Sequence, residues 1–320
     1  MTSSKPAVIA LEEHYWDAEL ARHFGPPGAE MARPGLRERL DDLGALRIRE
    51  MDEAGIDVQV LSHGAPSTQR LDAATAVPLA RQVNDRLHER ILQSKGRLEG
   101  FAALPSAAPK EAADELERTV TKLGFRGAML HGLDAKGRFL DLKEFWPIYE
   151  RAQALDVPIY LHPAVPHRAV VDAYYRDYLE QFPGLLTAAW GFTVETATQA
   201  IRLVLSGVFD AYPRLKIVLG HLGESLPFSL WRIDMALSRH RATPFRDTFR
   251  NHFWITTSGN FSTPALLCSM LEMGVDRILF SVDYPFVANP PGIKWMEGVP
   301  LSAEDRLKIL GGNARRLLRL

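Results

Sequence analysis

Short apolar segments alternate with longer amphipathic segments along almost the whole chain. The apolar segments are rich in Val, Ile, Leu or Phe and lack a regular alternation with polar residues. This pattern is typical of strands that are buried on both faces of a parallel sheet. The predicted strands are Ala7–His14, Val58–His63, Leu98–Leu104, Phe125–His131, Val157–His162, Leu215–His221, Phe253–Ser258 and Arg277–Asp283.

The segments between the predicted strands have helical periodicity. In Pro109–Gly124 apolar residues recur at helical spacing, with proline near the start and glycine just past the end, as helix signals predict. The other predicted helices are roughly 34–54, 71–95, 142–154, 193–207, 224–240, 262–273 and 302–318.

Eight predicted strands in strict alternation with eight predicted helices favour an α/β fold, the (β/α)₈ TIM barrel. A doubly wound open sheet is the alternative, because alternation alone does not distinguish a closed sheet from an open one. No shift in composition divides residues 1–320, so we expect a single domain. Stretches with Gly and Pro at 21–35 and 284–300 predict loop insertions, which we expect at the C-terminal face of the barrel.

The composition narrows the class of protein. The 320 residues are 46% hydrophobic, and 38 Lys and Arg against 39 Asp and Glu give a net charge of −1. A net charge this close to zero argues against binding to a nucleic acid or an anionic membrane, because both are attracted by a basic protein surface. Cys268 is the only cysteine, which excludes an intramolecular disulfide and a thiolate metal site. Without a long apolar run or a signal-peptide pattern, we expect a cytoplasmic protein.

Metal-binding side chains stand where several predicted strands end. The first strand ends in Glu12, Glu13 and His14, the fifth in His162 and the eighth in Asp283. In a barrel these strand ends form one face, and alternation directs Glu12 and His14 into its mouth while Glu13 points away. Imidazole and carboxylate groups suit one divalent cation, with Zn²⁺ expected first and Mn²⁺ or Mg²⁺ as alternatives. Each residue alone also has a structural explanation, and only their joint occurrence indicates a metal site.

A second polar group follows the sixth predicted strand. His221 precedes Glu224 by one helical turn, and Arg232 lies two turns further along. The pair fits a general acid–base imidazole oriented by a carboxylate. Glu224 could equally favour the positive end of a helix dipole, and Arg232 could lie on a solvated helix face. His63 and His131 also end predicted strands. The sequence has no phosphate-binding glycine loop and no nucleophile elbow.

Five segments together resemble the amidohydrolase superfamily, and more narrowly its aromatic-acid decarboxylases, which include γ-resorcylate and dihydroxybenzoate decarboxylases. These segments are Ala10–His14, Tyr160–Pro163, Leu219–Glu224, Trp254–Phe261 and Asp276–Phe286. The resemblance extends from about Ala7 to the C-terminus. It implies a metal-dependent barrel that removes CO₂ from a hydroxylated benzoate without an organic cofactor, and a homodimer or homotetramer.

The resemblance also implies roles for individual residues. The implied metal ligands are Glu12, His14, His162 and Asp283; the implied catalytic residues are His221 and Glu224, with Arg232 in support. Asp283 would protonate the ring carbon, while Phe192 and Phe286 would lie beside the aromatic ring of the substrate.

The sequence departs from the family pattern around the expected substrate pocket. Val287 stands where an acidic residue is expected, and His63 and His131 stand where family members more often carry Asn or another small polar residue. We expect His63 and His131 to contact the substrate, whose identity the sequence leaves open. A metal-dependent hydrolase of an amide, ester or lactone is the alternative function. A non-catalytic barrel is a further one.

Overall fold

Every predicted apolar segment contains a β-strand in the computed structural model, which describes residues 7–24 and 33–320. The strands are β1 (Ile9–Tyr15), β2 (Val58–His63), β3 (Leu98–Gly100), β4 (Ala102–Ala103), β5 (Ala128–His131), β6 (Ile159–His162), β7 (Ile217–Leu219), β8 (Phe253–Thr256) and β9 (Ile278–Leu279). The third predicted strand is divided at Phe101 into β3 and β4.

The strands form a closed parallel barrel. β1 to β3 pair in order, and β4 to β9 pair in order. The amide of Phe101 donates to the carbonyl of Leu61 at 2.8 Å, which carries the pairing across the divided strand. A bridge between Leu11 and Ser281 joins the last strand to the first. The predicted (β/α)₈ barrel is therefore confirmed, and the open-sheet alternative is wrong.

Helices surround the barrel between consecutive strands. They are α1 (Ala18–Ala21), α2 (Leu36–Asp41), α3 (Ala45–Ala54), α4 (Ala73–Gln93), α5 (Pro109–Leu123), α6 (Trp146–Leu155), α7 (Arg168–Val170), α8 (Gly191–Ser206), α9 (Val208–Ala211), α10 (His221–Glu224), α11 (Leu226–Leu237), α12 (Phe245–His252), α13 (Thr263–Met273), α14 (Asn289–Gly298), α15 (Ala303–Leu307) and α16 (Asn313–Leu318). Among these helices, none combines the length and the apolar character that a bilayer span requires.

The structure corrects two of the predicted helices. The predicted helix 34–54 is two helices, α2 and α3, because the Asp42 carboxylate accepts the amides of Gly44 and Arg47 at 2.9 and 3.1 Å and starts a new helix. The predicted helix 302–318 is divided into α15 and α16 by a wider helical turn, Lys308–Gly312.

The structure also corrects one predicted loop. The stretch 284–300, predicted as an insertion without secondary structure, contains α14. Its prolines occupy the first helical turn, where a missing amide removes no hydrogen bond within the helix. In the other predicted insertion, 21–35, residues 25–32 lie outside the part of the chain that the structure describes.

The core has two layers. Inward-facing side chains fill the barrel: Ile9, Leu11, Val60, Phe101, Met129, Tyr160, Val218 and Leu279. Leu317 and Leu318 of α16 pack against this inner cluster. The larger outer layer lies between strands and helices and includes Leu61, Leu116 and Leu161. Because apolar side chains dominate both layers, the strands are rigid supports for the polar groups at their ends.

Candidate active site

Four metal-binding side chains meet at the C-terminal ends of the strands. Glu12 and His14 come from β1, His162 ends β6, and Asp283 follows β9. One ligand atom from each of these side chains lies within 4.8 Å of those from the other three. Glu12, His14 and His162 are buried, and 17% of the Asp283 side chain is exposed. The structure thus brings together the four side chains that the sequence singled out, at the face where barrel enzymes build their sites.

Two of the four residues have an unusual backbone conformation. Glu12 has φ 60° and Asp283 has φ 75°, in the left-handed region that non-glycine residues rarely adopt. At Glu12 the pairing of β1 with β2 also shifts register between Ala10 and Glu13. Such local irregularity redirects side chains and is concentrated at functional sites.

The atoms that face the centre of the cluster lack hydrogen-bond partners. Glu12 Oε1 and His14 Nε2 are buried and have none among the described residues. His162 Nδ1 donates to the carbonyl of Pro163 at 2.7 Å, so its Nε2 carries the lone pair and faces Glu12 Oε1 at 3.3 Å. Two acceptors facing each other repel unless a proton or a metal cation lies between them. The donor set therefore fits a divalent metal ion.

The electrostatics of the cluster point the same way. Burial raises the pKa of the Glu12 carboxyl, opposed chiefly by the nearby His221. Burial also lowers the pKa of His162 well below its usual value, and the neighbouring His14 adds to this effect. In both residues the neutral form is favoured because buried charges lose their hydration. A cation reverses this preference for the carboxylate and requires the neutral, lone-pair form of the imidazole.

His221 and Glu224 form a direct pair beside the cluster. His221 Nδ1 lies 2.7 Å from Glu224 Oε1, and His221 Nε2 lies 3.5 Å from Glu12 Oε1. Burial acts to lower the pKa of His221, but Glu224, Glu12 and Asp283 outweigh it and raise that pKa to about 10. Residues 221–225 all have positive φ. The tight turn holds both side chains on the site, so the position of Glu224 is more than a favourable dipole contact.

Sequence reasoning missed the residues that support Glu12. The Tyr160 hydroxyl donates a short hydrogen bond to Glu12 Oε2, and the Thr256 hydroxyl lies 3.4 Å from the same oxygen. Tyr160 stands two residues before His162 on β6, and residues two apart share a face of a strand. This spacing of two residues from His162 was the sequence signal that could have identified Tyr160 as a site residue.

The Glu12 carboxylate fits its position only because residue 220 is a glycine. A Cβ atom at Gly220 would lie 2.7 Å from Glu12 Oε2 and 3.0 Å from Glu12 Oε1. Because real Cβ atoms do not approach other atoms this closely, only glycine leaves the carboxylate where it is.

Of the two predicted aromatic residues, one contacts the cluster. The ring of Phe286 meets the ring of His14 edge-on, with centroids 5.6 Å apart. Phe192 is half-buried near the start of α8. Contact of either ring with a substrate stays a prediction.

Of the two histidines predicted to bind substrate, His63 has both ring nitrogens bonded to backbone, while contact of His131 with a substrate stays a prediction. His63 Nδ1 donates to the carbonyl of Gly64 at 2.8 Å, and His63 Nε2 accepts the amide of Asp17 at 3.0 Å. Both its nitrogens are therefore committed to the backbone, in a ring that is 4% exposed. His131 is 1% exposed, and its Nδ1 lies 3.0 Å from Nδ1 of His162. It lies behind a predicted metal ligand, where it can orient that ring.

Arg232 does not pair with Glu224. It lies on α11 with an exposed side chain and forms no ion pair or hydrogen bond with any residue in 7–24 or 33–320. No contact within the described residues supplies the expected support of the His221–Glu224 pair, so that role of Arg232 stays a prediction.

Comparison with known proteins places this geometry in a family. A family model described as amidohydrolase matches residues 12–320. The chain is 43% identical to γ-resorcylate decarboxylase of Polaromonas sp. strain JS666, over 98% of both chains. It superposes with a TM-score of 0.89 on a dihydroxybenzoic acid decarboxylase from Polaromonas sp. JS666 with bound manganese and the inhibitor 2-nitroresorcinol, at 43% identity over 99% and 98% of the two chains. The same TM-score, 0.89, relates it to a 2,6-dihydroxybenzoate decarboxylase complexed with 2,6-dihydroxybenzoate, at 39% identity over 98% and 99%.

Proposed function

The chain belongs to the amidohydrolase family, and on that premise we propose that it decarboxylates a benzoate with a hydroxyl group ortho to the carboxylate. It is a metal-dependent decarboxylase of a hydroxylated aromatic acid, since relatives 39% to 43% identical over 98% of the chain carry that activity in their names. The relatives thus decide between decarboxylation and the hydrolysis that the residues alone left open. The observation that carries the substrate proposal is the convergence of four metal-binding side chains beside the ring of Phe286.

The cluster would hold one divalent cation. Glu12, His14, His162 and Asp283 would be its ligands, and the unpartnered Glu12 Oε1 and His14 Nε2 support this assignment. Two carboxylates beside two imidazoles suit Mn²⁺ as well as the expected Zn²⁺, and the manganese in the related structure favours Mn²⁺. When bound, the cation would polarise the substrate oxygen atoms and orient the ring.

Asp283 is the group that we propose to move the proton. Its carboxylate is the partly exposed member of the cluster, so a ring in the barrel mouth can reach it. The carboxylate takes the proton of the ortho hydroxyl and delivers it to the ring carbon that bears the carboxyl group. This carbon becomes tetrahedral and the ring a ketone. Cleavage of the bond to the carboxylate then returns its electron pair to the ring, releases CO₂ and restores aromaticity.

The His221–Glu224 pair would stabilise charge on the substrate oxygen. Glu224 holds Nδ1 of His221, so that Nε2 faces the cluster. From there Nε2–H can donate to the ortho oxygen as negative charge develops on it. Phe286 would supply an apolar wall for the ring, and Phe192 is proposed as a second aromatic contact.

The proposal is tested with three acids and metal-loaded protein. We expect CO₂ release from 2,6-dihydroxybenzoate and 2-hydroxybenzoate. None is expected from 3-hydroxybenzoate, because a meta hydroxyl cannot form a ketone that accepts the electron pair of the breaking bond. Absence of CO₂ release from both ortho acids, together with turnover of a lactone or an amide, would overturn the proposal.

A homo-oligomer is also inferred. On α11 the side chains of Phe228, Trp231 and Met235 are 84%, 63% and 58% exposed, and their spacing places them on one helix face. A second copy of the chain is the occupant we propose for this face. Sedimentation of the metal-loaded protein as a monomer at micromolar concentration would contradict this inference.

A further inference from the structure

Glu13 lies between the two metal-binding residues of β1, yet its carboxylate is turned to a different part of the molecule. The side chain is fully buried. Its Oε1 accepts the amide of Val282 at 2.9 Å and the hydroxyl of Ser281 at 3.3 Å. Its Oε2 accepts the amide of Tyr284 at 2.9 Å. One carboxylate therefore holds the backbone amides on both sides of Asp283.

The backbone at Asp283 needs such support. Its φ of 75° lies in the left-handed region, which residues other than glycine adopt uncommonly. Left alone, the segment would relax to a conformation that directs the Asp283 side chain elsewhere. Space around the side chain is also narrow, since a Cβ atom at Gly259 would lie 3.2 Å from Asp283 Oδ2. The carboxylate therefore has little room to adjust if the backbone rotates.

The same network fixes the loop against β1. The His14 amide donates to the carbonyl of Tyr284 at 2.6 Å. From α3, Arg47 Nη2 donates to the carbonyl of His14 at 2.6 Å, and its guanidinium lies 4.7 Å from the centre of the Tyr284 ring. The distance of 3.4 Å between His14 Nε2 and Asp283 Oδ1 is thus set by backbone contacts on both sides.

We propose that Glu13 is a positioning residue that holds Asp283 where it can exchange a proton with the substrate. This inference rests on the proposed role of Asp283. Glu13 touches neither the substrate nor the centre of the cluster and acts through the amides of Val282 and Tyr284. A glutamate suits this task because two opposed amides require an acceptor oxygen each, and a glutamine amide offers one acceptor and one donor.

The test compares Glu13→Gln with Glu50→Gln. Glu50 also binds Tyr284, but it does so by accepting the side-chain hydroxyl at 2.8 Å, so its substitution leaves both loop amides held. For Glu13→Gln we expect kcat to fall about tenfold to a hundredfold, with KM changed less than about twofold. Hydrogen exchange in the peptide that spans residues 278–287 should rise in the same variant. Glu50→Gln should leave kcat and this exchange as in the wild type.

Glu13→Asp provides a second variant in case Glu13→Gln does not fold. It keeps both acceptor oxygens on a side chain that is one methylene shorter, and we expect a kcat between those of the wild type and Glu13→Gln. Faster exchange with unchanged kcat would show that the loop is held for stability alone and would overturn the proposal. Unchanged exchange in both Glu13 variants would overturn it as well. Full activity of Asp283→Asn would instead remove the role of Asp283 on which this inference rests. Absence of CO₂ release from the ortho acids by the wild type would remove the proposed function, which separates the failures.

Discussion

His14 Nε2 and Asp283 Oδ1 lie 3.4 Å apart, although the two residues come from the first and the last strand regions of the barrel. Closure of the sheet between Leu11 and Ser281 brings these regions together. The proposed active site therefore lies at the seam where the barrel closes.

Asp283→Asn should separate metal binding from turnover. The amide keeps the size of the side chain and one acceptor oxygen, but it cannot carry the proton. We expect kcat to fall about a hundredfold to ten-thousandfold, which is the usual contribution of a general acid, while much of the metal is retained. Steady-state CO₂ release and elemental analysis of the same preparation measure the two effects. Wild-type turnover in this variant would remove the proposed acid.

His162→Ala should lose the metal. The substitution removes the Nε2 that faces Glu12 Oε1 and leaves three of the four proposed ligands. The control is His240→Ala, since His240 is exposed in the segment Ser238–His240 that follows α11. We expect about one metal ion per chain in the wild type and in the control, and far less in His162→Ala, by mass spectrometry of the freshly purified proteins. Equal metal content in all three proteins would contradict the site.

Gly220→Ala should displace the Glu12 carboxylate without straining the backbone. Gly220 has φ −73°, which alanine adopts readily, but the added methyl group would lie 2.7 Å from Glu12 Oε2. We expect metal affinity to fall by about tenfold or more, in line with other changes next to metal ligands. The control is Gly298→Ala at the end of α14, where an added Cβ meets no atom within 4 Å. Isothermal titration with Mn²⁺ compares the two variants. Equal Mn²⁺ affinities would contradict the close contact between residue 220 and the Glu12 carboxylate.

Stability should fall in mild acid through His63. Burial lowers the pKa of His63 to about 4, against 6.5 in the unfolded chain, so the unfolded state binds more protons between these values. The stabilisation is present above pH 6.5 and is lost as the pH falls towards 4. Between pH 7 and pH 5 the loss for this residue is about 2 kcal/mol at most.

The measurement is the free energy of urea unfolding of wild type and His63→Gln at both pH values. The wild type should lose more stability than the variant, because the other titrating groups are common to both proteins and cancel in the difference. Identical losses would show that His63 is not held neutral by the amide of Asp17 and the carbonyl of Gly64.

Several features of this protein could be predicted from short stretches of its sequence. The strand ends at His14, His162 and Asp283 were visible because buried parallel strands are continuous apolar runs, and the first polar residue after such a run stands at the barrel mouth. Side-chain alternation placed Glu12 and His14 on one face, but Ile9 and Leu11 face the barrel interior, and the register shift between Ala10 and Glu13 was not predicted from the sequence. The spacing of His221 and Glu224 indicated a pair but left a helix-dipole contact of Glu224 equally open, and the turn of positive φ that joins them was not predicted.

Other features depended on chain segments that meet only in the folded state. His63 ends β2 as His162 ends β6, but the backbone of Asp17 reaches its Nε2 and makes it a structural residue. Likewise the sequence indicated that Glu13 faces away from the cluster, but not that it faces the amides beside Asp283. Both outcomes depend on loops packed from distant parts of the chain.

The amino-acid sequence by itself determined the alternation of strands and helices and the metal-binding side chains at the strand ends, whereas closure of the sheet into a barrel was observed only in the structure. The alternation and the side chains at the strand ends follow from hydrophobic periodicity and from the single direction in which parallel strands end, both of which are local properties of the chain. Only the tertiary structure decided which of the remaining buried polar residues face the cluster and which bind backbone. Every buried polar group takes the partner that folding brings within about 3 Å, and such partners cannot be identified from their separation along the chain.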